Sequence, residues 1–169
     1  MNSIDLLRAT FRNAHETLEG TMADVTPAQA HWLPAGAALP IGALYAHTIQ
    51  GEDAILSTVL LKTQPLFASK WQGRTGLSEL EPQASPWDSW ARSVHVNLGN
   101  LREYAAAVYA QTDEYLATLS PESLDVEVQF AGTRTLGDAL GCIMVAHINN
   151  HCGEISCLKG LLGAKGYPF

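Results

Sequence analysis

The sequence predicts an all-α protein, a four-helix bundle built as a single domain over residues 1–169. Apolar residues recur at three- to four-residue steps over four long segments, which is the period of amphipathic helices. One short segment between the third and the fourth alternates instead, and predicts a small β-hairpin before the last helix. The length of 169 residues is enough for one buried core, around which four such helices can pack.

Two long helices and one short helix are predicted in the first part of the chain. The first long helix covers residues 3–23, with its apolar residues on one stripe. Residues 26–29 (Thr-Pro-Ala-Gln) combine a cap, a proline at the first helical position and a glutamine three residues after the cap, so they start a short helix. After a Pro/Gly/Ala connector at residues 34–39, Pro40 begins a second long helix that ends near Lys62.

The middle of the chain contains a long connection and a third helix. Residues 63–84 include prolines and glycines and show no clear period, so they form either a functional loop or a loop with a short helix. Residues 85–88 (Ser-Pro-Trp-Asp) predict the start of a long third helix that ends near Leu119. Three tryptophans in and after the loop could form a pocket wall or simply pack: Trp71, Trp87 and Trp90.

The last part of the chain predicts the hairpin and the fourth helix. Residues 124–130 alternate apolar and polar side chains, and Ala-Gly at 131–132 supplies the turn. Thr135 and Asp138 then have the spacing of a capping pair. The helix that follows ends around the glycines at 160 and 163.

Composition excludes several classes of protein. The net charge is −7 and the ten Lys and Arg residues are scattered, whereas nucleic-acid binding needs a concentrated basic face. The apolar stretches fall far short of the roughly 20 residues that span a bilayer, so we expect no membrane partner. No secretory signal is evident at the N-terminus, so we expect a cytoplasmic protein with its three cysteines reduced. We interpret Cys142, Cys152 and Cys157 as small core hydrophobes.

Two histidines on the fourth predicted helix are the most informative feature of the chain. His147 and His151 are four residues apart, so they lie on one helix face and about 6 Å apart along the axis. Ile143 and Leu158 continue the same apolar stripe, which places both imidazoles on the core side. Each could be a core histidine with its own hydrogen-bond partner. A shared metal ion would satisfy both at once.

A third histidine, His47, lies on the apolar stripe of the second predicted helix. Gly51 follows one turn later and leaves room for a ligand or a closely packed neighbour. Helix packing alone could explain His47, but the three histidines together could hold one metal in the bundle core. Three imidazoles suit zinc best, with nickel or iron(II) as alternatives, and leave one coordination position open.

Other polar residues near these histidines have less definite roles. Glu154 is one turn beyond His151 and could be a fourth ligand, a hydrogen-bond acceptor for a histidine, a proton acceptor in catalysis, or a solvated carboxylate. His15 lies on the inner stripe of the first helix and could approach the site. Glu52 points away from the stripe of His47, so we do not count it as a ligand.

At these residues the chain resembles the DinB/YfiT-like superfamily. The resemblance rests on Leu-Tyr-Ala-His47 after the Pro/Gly-rich connector, and on Ala-His147-Ile-Asn-Asn-His151-Cys-Gly-Glu154-Ile, and it extends over essentially the whole chain. It implies an up-down-down-up four-helix bundle, often a homodimer, with a divalent metal held by three histidines. By position these are His47, His147 and His151. Relatives include maleylpyruvate isomerase and S-transferases that use mycothiol or bacillithiol.

The functional hypothesis is therefore a metal-dependent transferase acting with a low-molecular-weight thiol, or a metal-dependent hydrolase. Metal coordination deprotonates a thiol or a water near neutral pH, so the sequence leaves both reactions open. Glu154 is the predicted catalytic residue, and the partner is a small-molecule substrate or thiol. The alternatives are a non-catalytic stress-related binding module, or a helical dimer whose metal is structural or absent.

Overall fold

The computed structural model describes residues 2–82 and 87–169, and these residues are mostly helical. Four long helices are joined by connections that contain two shorter ones. The helices are α1 (Ser3–Met22), α2 (Pro27–Ala30), α3 (Ile41–Ala54), α4 (Trp87–Ser93), α5 (Leu98–Ala117) and α6 (Val145–Leu161). An antiparallel hairpin of β1 (Glu127–Gln129) and β2 (Thr133–Thr135) precedes α6, as the sequence predicts.

Helix α1 is antiparallel to α5. Near the start of α1, Arg8 forms an ion pair with Asp113 in the second half of α5 at 2.7 Å. At the other end of α1, the guanidinium of Arg102 donates to the backbone carbonyl of Met22 at 2.7 Å. The two contacts therefore fix opposite directions for the two helices.

Helix α6 is parallel to α1. Leu7, near the start of α1, lies beside Gly141, which comes just before α6. Near the end of α1, the ammonium group of Lys159 donates to the backbone carbonyl of Thr21 at 2.5 Å and pairs with Asp24. Lys159 is buried, so its charge is held by these two oxygens rather than by water.

Helix α3 is antiparallel to α1, and side chains of the two helices contact each other in the centre of the bundle. The hydroxyl of Tyr45 donates to Glu19 at 2.7 Å, and His15 Nε2 lies 2.9 Å from Glu52 Oε2. The start of α3 thus faces the end of α1. With α5 antiparallel and α6 parallel to α1, the four long helices run up, down, down and up, and the predicted fold class is confirmed.

The third predicted helix is the main error in the sequence analysis, because it is divided into α4 and α5. Val96 pairs with Leu77 of the long loop as an isolated bridge, and the Asn97 backbone N–H donates to the Gly76 carbonyl at 2.7 Å. The Asn97 side chain then caps α5 by accepting from the Asn100 backbone N–H at 3.1 Å. Residues 85–86 of the predicted start lie outside the described residues.

The remaining elements mostly agree with the sequence predictions, but the first strand of the hairpin is shorter than the alternation over residues 124–130 predicts, because Pro121–Asp125 form a 3₁₀ helix. The short helix α2 has its capping box, in which Thr26 and Gln29 bond reciprocally. Beyond α3 the chain continues as a π-helical segment, Ile55–Leu61, and leaves helical geometry at Lys62 with φ of 56°. Thr135 accepts from the Asp138 backbone N–H at 3.1 Å, where a second π-helical segment leads into α6.

The long connection contains a short helical turn, one of the two forms the sequence analysis left open. The turn is a 3₁₀ helix, Leu66–Ala68. The connection is described as far as residue 82, and residues 83–84 of the predicted loop lie outside the described residues. None of the helices over the described part of the chain has both the length and the apolarity needed to cross a membrane.

Cysteine burial was predicted correctly for one residue of three. Cys152 is fully buried, with its sulfur 3.4 Å from the hydroxyl of Thr21. Cys142 and Cys157 are exposed, so their interpretation as core residues was wrong. Cys157 follows Cys152 by five residues, and five residues at 100° each turn a side chain well away from the buried face.

A buried carboxylate in α3 joins three parts of the fold. Asp53 has no exposed surface, and it accepts hydrogen bonds from the hydroxyls of Tyr104 at 2.7 Å and Ser57 at 3.0 Å. It also accepts from the backbone N–H groups of Leu66 and Phe67, each at 3.0 Å. These bonds compensate the cost of burying the charge, and they tie α3 to α5 and to the long loop.

We predict that Asp53→Asn destabilises the protein by about 2–4 kcal/mol, because an amide offers one acceptor oxygen where the carboxylate offers two. Urea denaturation followed by circular dichroism measures the free energy of unfolding. Asp125→Asn is the matched control, since Asp125 is exposed and should change stability by less than about 0.5 kcal/mol. Equal free energies of unfolding for the two variants would contradict the role given to Asp53.

Candidate metal centre

Three histidines converge where α3 and α6 pack together. The Nε2 atoms of His47 and His147 lie 3.0 Å apart, although the residues are 100 positions apart in the chain. The rings of His47 and His151 have centroids 4.8 Å apart, and those of His147 and His151 are 4.6 Å apart. One ligand nitrogen from each of the three residues lies within 4.8 Å of the other two.

His47 is held from the loop side by a carboxylate. Its Nδ1–H donates to Glu81 Oε2 at 2.8 Å, since a carboxylate can only accept. Glu81 itself is positioned by its backbone N–H, which donates to the buried side chain of Gln50 at 3.3 Å. The indole of Trp87 stacks on the imidazole with ring centroids 4.8 Å apart. This arrangement directs the Nε2 lone pair of His47 toward the other two histidines.

His151 has a carboxylate partner on its own helix. Its Nδ1–H donates to Glu154 Oε2 at 2.7 Å, one turn further along α6. The side chain of Glu154 is 57% exposed, whereas that of His151 is 15% exposed. Among the roles considered for Glu154, the geometry places it as the hydrogen-bond acceptor of His151, with its carboxylate still open to solvent.

His147 is partly buried and packs against α3 at Gly51. A Cβ at Gly51 would be 3.2 Å from His147 Cε1, so a glycine there is what lets the ring approach so closely. Burial, together with the neighbouring His151 and His47, lowers the pKa of His147 to about 3. The imidazole is therefore neutral at physiological pH, which is the form that binds a metal.

The donor set fits a transition-metal ion. Two nitrogens bonded at about 2.0–2.1 Å to one tetrahedral ion are separated by about 3.3–3.4 Å, and the 3.0 Å between the Nε2 atoms of His47 and His147 is within a few tenths of an ångström of this spacing. Histidines that bind zinc usually donate their second N–H to a carboxylate or a carbonyl, as His47 and His151 do here. Three imidazoles and no carboxylate ligand suit zinc, nickel or iron(II) better than calcium or magnesium.

The other residues weighed in the sequence analysis are elsewhere. His15 pairs with Glu52, and Glu52 also accepts from the hydroxyl of Thr112, so both belong to a separate buried network. Both nitrogens of His31 are bonded to backbone groups, and His95 is exposed. Within residues 2–82 and 87–169, the three convergent histidines are the one group of metal-binding residues found close enough to share an ion.

Glu81 is the site residue that sequence reasoning missed. It lies in the segment without a clear period, where no pattern indicates which side chains turn inward. One chemical signal was available: a metal-binding histidine needs an acceptor for its second N–H, and Glu81 is one of few carboxylates in that loop. That requirement makes Glu79 and Glu81, the carboxylates of the loop, candidates for the acceptor of a histidine N–H.

A cavity of about 330 Å³ opens beside His151. Its walls come from the connector before α3, from α3 itself, from Trp87 and from α6. The lining residues are Ala37, Ala38, Leu39, Leu44, Trp87, His151, Glu154, Cys157, Leu158 and Leu161. A small molecule in this cavity would contact the exposed edge of the histidine cluster.

Comparison with known proteins gives two findings. The sequence profile of the DinB superfamily matches residues 10–155. The fold is similar to the crystal structure of a conserved protein from Enterococcus faecalis, with a TM-score of 0.82 and 25% sequence identity over 96% of this chain and 99% of that one. No protein with a curated description matches the chain.

We predict that Glu81→Ala changes the tautomer of His47 in the metal-free protein. In the wild type the carboxylate selects the form with a proton on Nδ1, and without it the two neutral tautomers should both be populated. Long-range ¹H–¹⁵N NMR of the imidazole rings distinguishes the forms.

Glu79→Ala is the control for this experiment, because Glu79 lies in the same loop and its side chain bonds to Ser93 instead. The Glu79 variant should retain the wild-type spectrum of His47. A spectrum of His47 that is the same in the Glu81 variant and in the wild type would contradict the orienting role of Glu81.

Proposed function

Because this chain belongs to the DinB superfamily and brings three histidines together, we propose that it is a metal-dependent enzyme. In this proposal His47, His147 and His151 hold one divalent cation, with zinc preferred over nickel or iron(II). The reaction is either the transfer of a low-molecular-weight thiol or a hydrolysis. The convergence of three imidazole nitrogens within 4.8 Å carries the proposal.

The protein would hold the cation with neutral ligands and place its negative charges around them. Glu81 and Glu154 each accept a hydrogen bond from the Nδ1–H of a ligand histidine, which raises the basicity of its Nε2. A divalent cation bound there supplies a Lewis acid that lowers the pKa of a thiol or water beside it. With three protein ligands, one coordination position is free for a substrate atom.

Glu154 is our candidate catalytic residue. Its carboxylate borders the cavity, is largely exposed, and uses one oxygen to hold His151. It is therefore placed to accept the proton that a thiol or water in the cavity gives up. The cavity supports a small-molecule substrate, and its mostly aliphatic walls would hold the apolar part of such a molecule. The homodimer and the cytoplasmic location expected from the sequence stay predictions.

We expect about one equivalent of metal per chain in protein purified without an affinity tag, by elemental analysis. His47→Ala, His147→Ala and His151→Ala should each lose the metal, because two imidazoles alone bind a divalent cation weakly. The helical circular dichroism signal should remain in all three variants, since the bundle core is built from other residues.

His95→Ala is the matched control, because His95 is an exposed histidine outside the cluster. It should retain the full equivalent of metal. Metal retained in all three cluster variants, or lost equally in the control, would contradict the proposed site. If the protein binds metal at the cluster but catalyses neither thiol transfer nor hydrolysis, the catalytic part of the proposal is rejected and a metal-binding protein remains.

The Gly51→Ala variant distinguishes an effect on metal affinity from an effect on stability. Gly51→Ala should weaken metal binding roughly tenfold, because the new methyl group displaces the ring of His147. The same change favours the helix by about 0.5–1 kcal/mol, so the free energy of unfolding should not fall in proportion. Competition titration with a chromogenic chelator measures the affinity, and urea denaturation measures the stability.

Gly160→Ala is the control for the helix effect. Gly160 lies in α6, and a Cβ there would meet nothing within 4 Å. This variant should bind metal as the wild type does. If Gly51→Ala also binds metal with wild-type affinity, the close packing of His147 on α3 does not matter for the site.

A further inference from the structure

A second cavity is lined by residues of α1 and α5, and none of the three cluster histidines lines it. Its volume is about 270 Å³, slightly below the roughly 300–1,000 Å³ of pockets that take drug-sized ligands, so it suits a molecule with a single ring. Phe11, Tyr109 and Ala110 form its apolar wall. The remaining lining residues are Arg8, Arg12, His15, Glu16, Thr112 and Asp113.

The imidazole of His15 lines this cavity, although its side chain is only 10% exposed. The ring stacks on that of Tyr109, with centroids 3.8 Å apart and planes 18° from parallel. Its Nε2 lies 2.9 Å from Oε2 of Glu52, whose side chain is 2% exposed. The stacked ring and the buried carboxylate therefore hold the imidazole in one orientation.

Glu52 decides which ring nitrogen of His15 carries the proton. The Thr112 hydroxyl donates to Oε1 of Glu52 at 2.5 Å, so Oε2 is the oxygen that faces the imidazole. A carboxylate can only accept, so the proton of the neutral imidazole is on Nε2 and the lone pair is on Nδ1. Nδ1 bonds to no group among the described residues. It is therefore an unused hydrogen-bond acceptor in the wall of the cavity.

Other polar groups of this cavity already have partners. The hydroxyl of Tyr109 donates to Glu19 at 2.9 Å, and the hydroxyl of Thr112 is used by the buried carboxylate. Arg8 donates through two nitrogens to Asp113, at 2.7 and 2.8 Å. A ligand would therefore find its hydrogen-bonding partner at Nδ1 of the imidazole rather than at these groups.

The charges around the cavity favour neither an anion nor a cation. Arg8 and Arg12 line it and would oppose a cation, whereas Glu16 and Asp113 line it and would oppose an anion. The carboxylate of Glu52, behind the imidazole, adds to the repulsion of an anion. A neutral molecule avoids both repulsions and does not lose the hydration of a charge.

We propose that this cavity is a second ligand site, and that it takes a neutral phenol or aromatic amine whose O–H or N–H donates to Nδ1 of His15. The ring of the ligand would pack against Phe11, Tyr109 and Ala110. The site is independent of the proposed function, since it uses neither the histidine cluster nor the cavity beside His151.

Four fluorinated probes test the proposal by ¹⁹F NMR titration of the zinc-loaded protein. 4-Fluorophenol can donate a hydrogen bond, whereas 4-fluoroanisole has a methyl group in place of the hydroxyl hydrogen and cannot. We expect the phenol to bind about fivefold or more tightly, because one hydrogen bond distinguishes the two. 4-Fluorobenzoate and 4-fluorobenzylamine are charged and should both bind more weakly than the phenol. The metal-free protein should give the same affinities.

Ala110→Leu and Ala106→Leu locate the bound phenol. Both alanines are exposed on α5, but only Ala110 is among the residues that line the cavity. Ala110→Leu should weaken 4-fluorophenol about fivefold or more, because the larger side chain occupies part of the cavity. Ala106→Leu should leave the affinity unchanged. Leucine is a good helix former, so both variants should fold.

Glu52→Gln tests the hydrogen bond to Nδ1 without changing the shape of the cavity. Thr112 still donates to the amide oxygen, so the amide nitrogen faces His15 and donates to its Nε2. The ring proton then moves to Nδ1, which no longer accepts. The preference for 4-fluorophenol over 4-fluoroanisole should fall at least about threefold, and long-range ¹H–¹⁵N NMR reads the tautomer in both proteins.

The outcomes decide the inference whether or not the histidine cluster binds metal. Equal binding of the phenol and the anisole, tighter binding of either charged probe, or identical effects of the two leucine variants overturns it. A wild-type spectrum with the neutral ring of His15 protonated on Nδ1, or a phenol affinity that depends on zinc, also overturns it. A zinc-independent preference for the phenol that Ala110→Leu and Glu52→Gln both reduce supports it.

Discussion

The close approach of α3 to α6 at Gly51 is the constraint on which the site depends. A Cβ at that position would lie 3.2 Å from His147 Cε1, so a larger residue would push this ring away from its place 3.0 Å from Nε2 of His47. The antiparallel packing of the two helices then brings His151 beside His47, one turn along. The missing side chain at Gly51 therefore helps to set the spacing between His147 and His47.

The opposite side of α3 is fixed by buried charge. Glu52 and Asp53 follow Gly51 directly, and both are buried with hydrogen-bond partners from α1, α5 and the long loop. Such bonds are directional, and a buried carboxylate that loses them is costly, so α3 has little freedom to rotate or slide. His47 and Gly51 of α3 therefore face the histidine cluster, and the neighbouring Glu52 and Asp53 hold α3 in its position.

Local patterns in the sequence were enough to predict much of this arrangement. The spacing of His147 and His151, the place of His47 on an apolar stripe and the room left by Gly51 all follow from helix geometry. Contacts between distant segments could not be predicted in this way. Glu81 reaches His47 from an irregular loop, and the bridge between Leu77 and Val96 interrupts a helix that the periodicity alone would continue. The exposure of Cys157 does follow from helix geometry, because five residues after Cys152 its side chain points well away from the buried face of α6.

The central claim is that one cation is bound by three imidazoles. X-ray absorption spectroscopy of the zinc-loaded protein tests it directly, because it reports the atoms bound to the metal. The account predicts nitrogen and oxygen ligands at about 2.0–2.1 Å, with the outer-shell scattering of three imidazole rings. A sulfur ligand at about 2.3 Å, from a cysteine in place of a histidine, or a shell without imidazole scattering, would contradict it.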